Sequence, residues 1–183
     1  MTTSKKSSRT RTPLLLLLGA FVVPVVAAQL VLSMNWYKGG ATNSGQLIPG
    51  SPSYHSFNMQ NPQPEHWQLL YQLPAKCDVD CQQHLYIMQQ SYQALAKDKH
   101  RLHPIILLTQ YSDTSALSQF TFKTYTASTS LQQFMLPQQV VVVDPLGQLV
   151  MQYQFQGDQK TQIIQGKAMV KDMRKMLKLS RVG

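Results

Sequence analysis

Twenty-one consecutive residues, Leu14 to Met34, carry no charge and are nearly all apolar, and this run constrains the chain more than anything that follows. At about 1.5 Å of rise per residue it makes a helix of roughly 31 Å, the thickness of a hydrocarbon core of about 30 Å. Pro24 sits mid-span, where a membrane helix tolerates it with a kink. Trp36 and Tyr37 follow at once, where interfacial aromatics belong. Lys5, Lys6, Arg9 and Arg11 precede the run, and only Lys38 follows closely. The positive-inside rule then puts the N-terminus in the cytoplasm and everything after Tyr37 on the periplasmic side of a bacterial inner membrane. Val26-Ala27-Ala28 has the small residues of a signal-peptide cleavage site, but the apolar run continues through Leu30, Val31 and Leu32 and ends at aromatics. We therefore expect a retained, single-pass anchor and a soluble part in an oxidising compartment.

The division that follows is a basic tail over 1–13, a transmembrane helix over 14–36, a linker over 37–64 and one domain over 65–183. The linker assignment rests on the Gly, Ser, Asn, Gln and Pro content of Lys38 to Pro64, which has no periodicity. The net charge of +9 is concentrated at the two ends. Lys160, Lys167, Lys171, Arg174, Lys175, Lys178 and Arg181 form the second basic block. A basic chain invites a nucleic-acid reading, but these cations flank a membrane segment and a terminal helix, with no aromatic–basic platform or finger spacing. The first block reads as topology, and the second as a face for anionic lipid or an acidic partner; nucleic acid is not expected.

Past the linker the pattern becomes regular. Trp67 to Gln72 is a short apolar run between prolines and predicts a buried strand. Cys81, Leu85, Met88, Tyr92 and Leu95 recur at helical spacing up to the charged run at 97–99. Ile105 to Leu108 predicts a central strand, and 111–135, rich in Ser and Thr, a short helix amid irregular chain. Val140 to Val143 is another strand, Asp144-Pro145-Leu146-Gly147 a turn, and Leu149, Met151, Tyr153 and Phe155 an alternating strand with one wet face. Met169, Met173, Met176 and Leu177 line one face of a last helix. A βαβ unit followed by a ββα unit is the thioredoxin arrangement, so the expected class is α/β: a central mixed sheet flanked by helices, preceded by one transmembrane helix.

Cys77 and Cys81 are the only cysteines, and they lie between the first predicted strand and the start of the first helix. Free N–H groups and the positive end of the helix dipole stabilise a thiolate there. Lys76 favours that thiolate, whereas Asp78 and Asp80 oppose it. The spacing brings both sulfurs within reach of one disulfide or one metal ion. A bridge closing so short a loop stabilises little through chain entropy, so the pair reads as reactive or metal-binding rather than as a staple. His84 lies three residues beyond Cys81, on the same side of the helix. It is either a partly exposed helix histidine or a neighbour able to share a soft metal such as copper. His55, His66, His100 and His103 read as solvated. Pro137, directly before the strand at Val140, has the position of the cis-proline that faces the thiols in thioredoxins; the alternative is an ordinary loop proline.

The anchor, the C-x-x-x-C after the first strand and the Val143-Asp144-Pro145-Leu146-Gly147 turn together resemble SCO-type cytochrome oxidase assembly proteins. Thr42 to Ile48, Trp67 to Tyr71 and the C-terminal Lys171 to Arg181 also look like small bacterial membrane proteins associated with cytochrome c oxidase biogenesis. SCO proteins bind copper through two cysteines and one histidine, and deliver it or reduce thiols for the binuclear copper centre. The resemblance implies that Cys77 and Cys81 match the two sulfur ligands. The family histidine lies shortly before the strand leading into the Asp-Pro turn, where this chain reads Phe134-Met135-Leu136-Pro137-Gln138-Gln139. It has no counterpart here, so the resemblance does not carry the third copper ligand over, and the candidate cis-proline Pro137 tilts the expectation toward thiol–disulfide chemistry. The implied partner is a cytochrome c oxidase subunit or another assembly factor. Competing functions are a general periplasmic thiol–disulfide oxidoreductase, whose usual C-x-x-C spacing is absent, and a non-catalytic membrane scaffold that docks through its basic helix.

Overall fold

A computed structural model describes residues 11–34 and 43–182. The chain splits into two compact units, Met1–Thr42 and Asn43–Gly183. In the first, helix α1 runs over Arg11–Ser33 and includes Pro24. Its segment Pro13–Ser33 is long and apolar enough to cross a membrane. Leu14 to Leu18 and Phe21 to Val26 are exposed on all sides of the helix, and a helix apolar all round needs lipid or protein around it. Trp36, Tyr37 and Lys38, on which the interfacial and charge readings partly rest, lie outside the described residues, as do Lys5, Lys6 and Arg9.

In the second unit six strands form one sheet: β1 Gln46–Leu47, β2 Trp67–Gln72, β3 Leu102–Leu108, β4 Lys123–Thr126, β5 Gln139–Val143 and β6 Leu149–Gln154. Their order is β1-β6-β5-β2-β3-β4. β2, β3 and β4 run parallel, whereas β5 opposes β2, and β6 and β1 continue antiparallel. Helices α2 Val79–Ala94, α3 Thr129–Phe134 and α4 Gln159–Leu179 complete the expected βαβ and ββα halves. The alternation of side chains across each strand sends them into two cores. Leu69, Tyr71, Ile106, Val140, Val142, Tyr153 and Phe155 pack under α2 and α4. Leu70, Ile105, Leu107, Val141, Val143 and Leu149 pack on the opposite face with Leu131 and Met135. Gly166 lets α4 pack closely on α2, since a Cβ there would lie 2.6 Å from Ile87 Cγ2.

The structure corrects the linker assigned to 37–64. From residue 43 onward that stretch is part of the fold. β1 pairs with β6 and forms the edge of the sheet, and Ile48, Tyr54 and Phe57 are buried in the second core. Ser128 and Ser130 donate their hydroxyls to the Phe57 carbonyl, fastening the segment to α3. Gly45 permits the approach: a Cβ there would meet Met151 Sδ at 2.5 Å. Turn-rich composition concealed this, because the buried side chains are irregularly spaced and backbone pairing needs no apolar pattern. β4 is a second correction within a region read as irregular. It is an edge strand with mostly exposed side chains, so no alternation marked it.

Candidate functional site around the Cys77–Cys81 disulfide

The parallel pair β2–β3 ends where antiparallel β5 begins, since Tyr71 pairs with Val140 and Gln72 with Leu107. Cys77 and Cys81 leave this end of the sheet and are joined in a disulfide with Cα atoms 5.2 Å apart. Asp78 is the N-cap of α2, in extended conformation, and its carboxylate accepts the Cys81 N–H at 2.9 Å. Cys81 thus occupies the first turn of α2, where unpaired N–H groups and the dipole favour negative charge on sulfur. Cys77 is 9% exposed and Cys81 2%, so Cys77 is the outer sulfur.

The loop after β3 holds the cysteine loop in place. The Asp113 N–H donates to the Pro74 carbonyl at 2.9 Å, and the Cys77 N–H to Asp113 Oδ2 at 3.3 Å. Ser112 donates its hydroxyl to the Leu73 carbonyl at 2.7 Å. Asp113 lies below the usual carboxylate range, first because the Ser115 hydroxyl donates to it and then because the Cys77 amide does. Sequence reading missed Ser112 and Asp113: they sit in weakly patterned chain, and only the parallel pairing of β2 with β3 brings them to the thiols. Three exposed apolar side chains share this end of the sheet. They are Val79 at the start of α2, Tyr111 after β3 and Leu136 before β5.

Two expectations are corrected here. Pro137 does stand at the disulfide end of β5, but it is exposed in a turn, and none of the described peptide bonds is cis. The turn reverses through Gln138, at φ 59°, so Pro137 serves as a loop proline. His84 is not a partly exposed helix residue. It is fully buried between Tyr71 and Phe155, with ring centroids 6.0 and 5.4 Å away. Neither ring nitrogen has a hydrogen-bond partner, and desolvation lowers its pKa against the opposing pull of Asp80 and Asp78. Among the described residues no group of three His, Cys, Asp or Glu side chains is arranged to hold a metal. The remaining histidines lie away from the thiols. His55 and His100 are exposed, and His66 packs against His103 with ring centroids 4.6 Å apart and planes tilted by 37°, at the opposite end of β2 and β3.

The fold of the second unit is found among solved structures of Sco1. Apo Sco1 from Thermus thermophilus superposes with a TM-score of 0.51 at 16% identity, covering 75% of this chain and 99% of that one. Yeast Sco1 with copper bound gives 0.50 at 16% identity, covering 64% and 82%. No curated protein sequence matches the chain. Residues 67–180 match the transmembrane-like, thioredoxin-like C-terminal domain, the segment that carries the sheet, the cysteine pair and α4, and the chain belongs to that family.

Proposed function

We propose that this chain is a membrane-anchored assembly factor for cytochrome c oxidase, reducing the cysteines of the oxidase copper site with the Cys77–Cys81 pair. One observation carries the reading: the two sulfurs are joined at the N-terminus of α2, at the end of the sheet, where a thiolate is stabilised and a staple gains little. In the reduced form the outer Cys77 thiolate attacks a disulfide in the partner and releases one partner thiolate. The Cys81 thiolate then attacks Cys77 Sγ, releases the second partner thiolate and leaves the Cys77–Cys81 disulfide seen here. Two electrons pass to the partner, and a membrane or periplasmic dithiol must return them. Val79, Tyr111 and Leu136 offer an apolar rim for the partner polypeptide. The anchor would hold the domain on the periplasmic side of the inner membrane.

A second reading, Cu(I) delivery, rests on the same two sulfurs, because soft thiolates suit that ion as cargo. With the His84 ring enclosed by Tyr71 and Phe155, the partner or solvent would complete the coordination. General oxidoreductase and scaffold roles lack an observation of their own.

The test is complementation of cells lacking the protein with Cys77→Ser and Cys81→Ser, reading the copper content of the oxidase and the thiol state of its copper site. Loss of copper with an oxidised site in both variants supports reduction. Loss of copper with thiols already reduced points to delivery, which anaerobic Cu(I) competition on the full chain would check. Normal oxidase in either variant overturns the proposal.

A further inference from the structure

We infer that the outer face of α4, together with the groove between α4 and α2, docks on the anionic lipid surface of the membrane that holds α1. This rests on the anchor in the proposed function and is independent of the thiol chemistry. Lys160, Lys167, Lys171, Arg174, Lys175 and Lys178 are all exposed along α4. The one acid on the helix, Asp172, is buried and bound to Ser44, Gly45 and Tyr153. Across the groove, α2 carries no charged residue from Gln82 to Ala94. The groove encloses about 630 Å³, with Tyr86, Ile87, Ile163 and Val170 in its walls and Lys167 and Lys171 beside them. Tyr86, Ile163 and Ile164 are 50%, 38% and 57% exposed. Apolar side chains beside a row of cations match the boundary between phospholipid headgroups and acyl chains.

The covalent chain favours lipid over an acidic protein as the occupant. Ser44 and Gly45 enter the domain by donating their amides to Asp172 of α4. From Met34 to Ser44 an extended chain reaches no more than about 35 Å. The cations of α4 are therefore never far from a bilayer that holds α1, and the association is intramolecular in effect. Each cation brought to an anionic surface is worth about fivefold in the docked-to-free ratio, so several acting together outweigh the loss of freedom of a tethered domain.

The experiment uses the full chain in lipid nanodiscs with its disulfide intact. A bimane label is placed at Gln90→Cys in the groove or at Gln133→Cys on α3, and headgroup-spin-labelled lipid quenches whatever approaches the surface. In discs with about 30% phosphatidylglycerol, quenching at position 90 should exceed that in pure phosphatidylcholine about fivefold or more. It should fall as salt is raised and stay low at position 133. Lys167→Glu with Lys171→Glu should return position 90 to the neutral-lipid level, while Lys167→Gln with Lys171→Gln should give an intermediate value. Equal quenching in both lipids, equal quenching at both labels, or an undiminished signal in the charge-reversed protein overturns the docking. So does the absence of quenching in anionic discs, the result expected if the groove is kept for an acidic protein segment. A chain that does not enter the discs overturns the anchor and the docking together, whereas an inserted but unquenched chain overturns the docking alone.

Discussion

Asp172 on α4 and His84 on α2 are both buried polar side chains in the core beneath the same two helices, and they are treated in opposite ways. Asp172 is 2% exposed, and its Oδ2 accepts from the Ser44 N–H at 2.6 Å, the Gly45 N–H at 3.0 Å and the Tyr153 hydroxyl at 3.0 Å. His84 is fully buried and makes no hydrogen bond with either nitrogen. The first carboxylate joins a non-periodic N-terminal segment to the last helix of the domain. The second ring fills space between Tyr71 and Phe155 at the cost of desolvating its nitrogens. Burial alone therefore says nothing about whether a polar group holds a fold together; its partners do.

The largest expected effect is at the satisfied member. Asp172→Ala strands two backbone donors and a phenol, and should destabilise the domain by about 3 kcal/mol. Denaturant unfolding of the full chain in nanodiscs measures this. Amide exchange at residues 43–48 should rise well before that of β2, because β1 holds the sheet edge with only two residues. Tyr153→Phe removes one of the three donors and should cost about 1 kcal/mol; burial and then Asp172 raise the Tyr153 pKa, so the phenol is the donor throughout the working range. Unchanged exchange at 43–48 in Asp172→Ala would erase the contrast.

At the unsatisfied member the sign reverses. His84→Leu removes two unpartnered nitrogens and should stabilise the domain by about 1 kcal/mol at pH 7. The imidazole also makes stability depend on pH. Its folded pKa is lowered, by desolvation first, so the unfolded chain binds the proton more readily. The contribution is fully present above about pH 6.5 and is lost as the pH falls from there toward the lowered folded value. Stability measured between pH 7.5 and 5 should fall more steeply in the wild type than in His84→Leu. Parallel curves would mean that the ring finds a partner in solution.

What was legible in the sequence follows from how local the cause is. Strand β2 was read with its observed bounds because continuous apolar runs between prolines are local signals. The cysteine pair was placed at a strand–helix junction for the same reason. His84 was put on the face of Cys81 by helical spacing, but spacing does not say what that face meets, and here it meets Phe155 at the end of β6. Residues 43–57 and β4 escaped notice because edge pairing and capping bonds stabilise them rather than alternating apolar side chains. Asp113 was invisible because it acts on Cys77 across 36 positions of sequence.

Asp113 also supplies the smallest and most local test of the contrast, as a carboxylate that does at the surface what Asp172 does in the core. Its Oδ2 receives the Cys77 amide at 3.3 Å and its Oδ1 the Ser115 hydroxyl at 2.5 Å, while water reaches the same group. Truncation to Ala leaves the Cys77 N–H free to bond water, so global unfolding should be nearly unchanged. The cysteine loop should open more often, because its remaining ties are the Asp113 N–H to Pro74 and the Ser112 hydroxyl to Leu73. Loss of one exchangeable hydrogen bond corresponds to about a threefold rise in such an opening. Amide exchange at Cys77 should therefore quicken about threefold in Asp113→Ala, with faster reduction of the disulfide by a small thiol. Asp113→Asn retains an acceptor toward Cys77 and should fall between the two. If Asp113→Ala instead unfolds the domain as Asp172→Ala does, solvent access does not separate the two carboxylates, and the rule drawn from the core fails at the site.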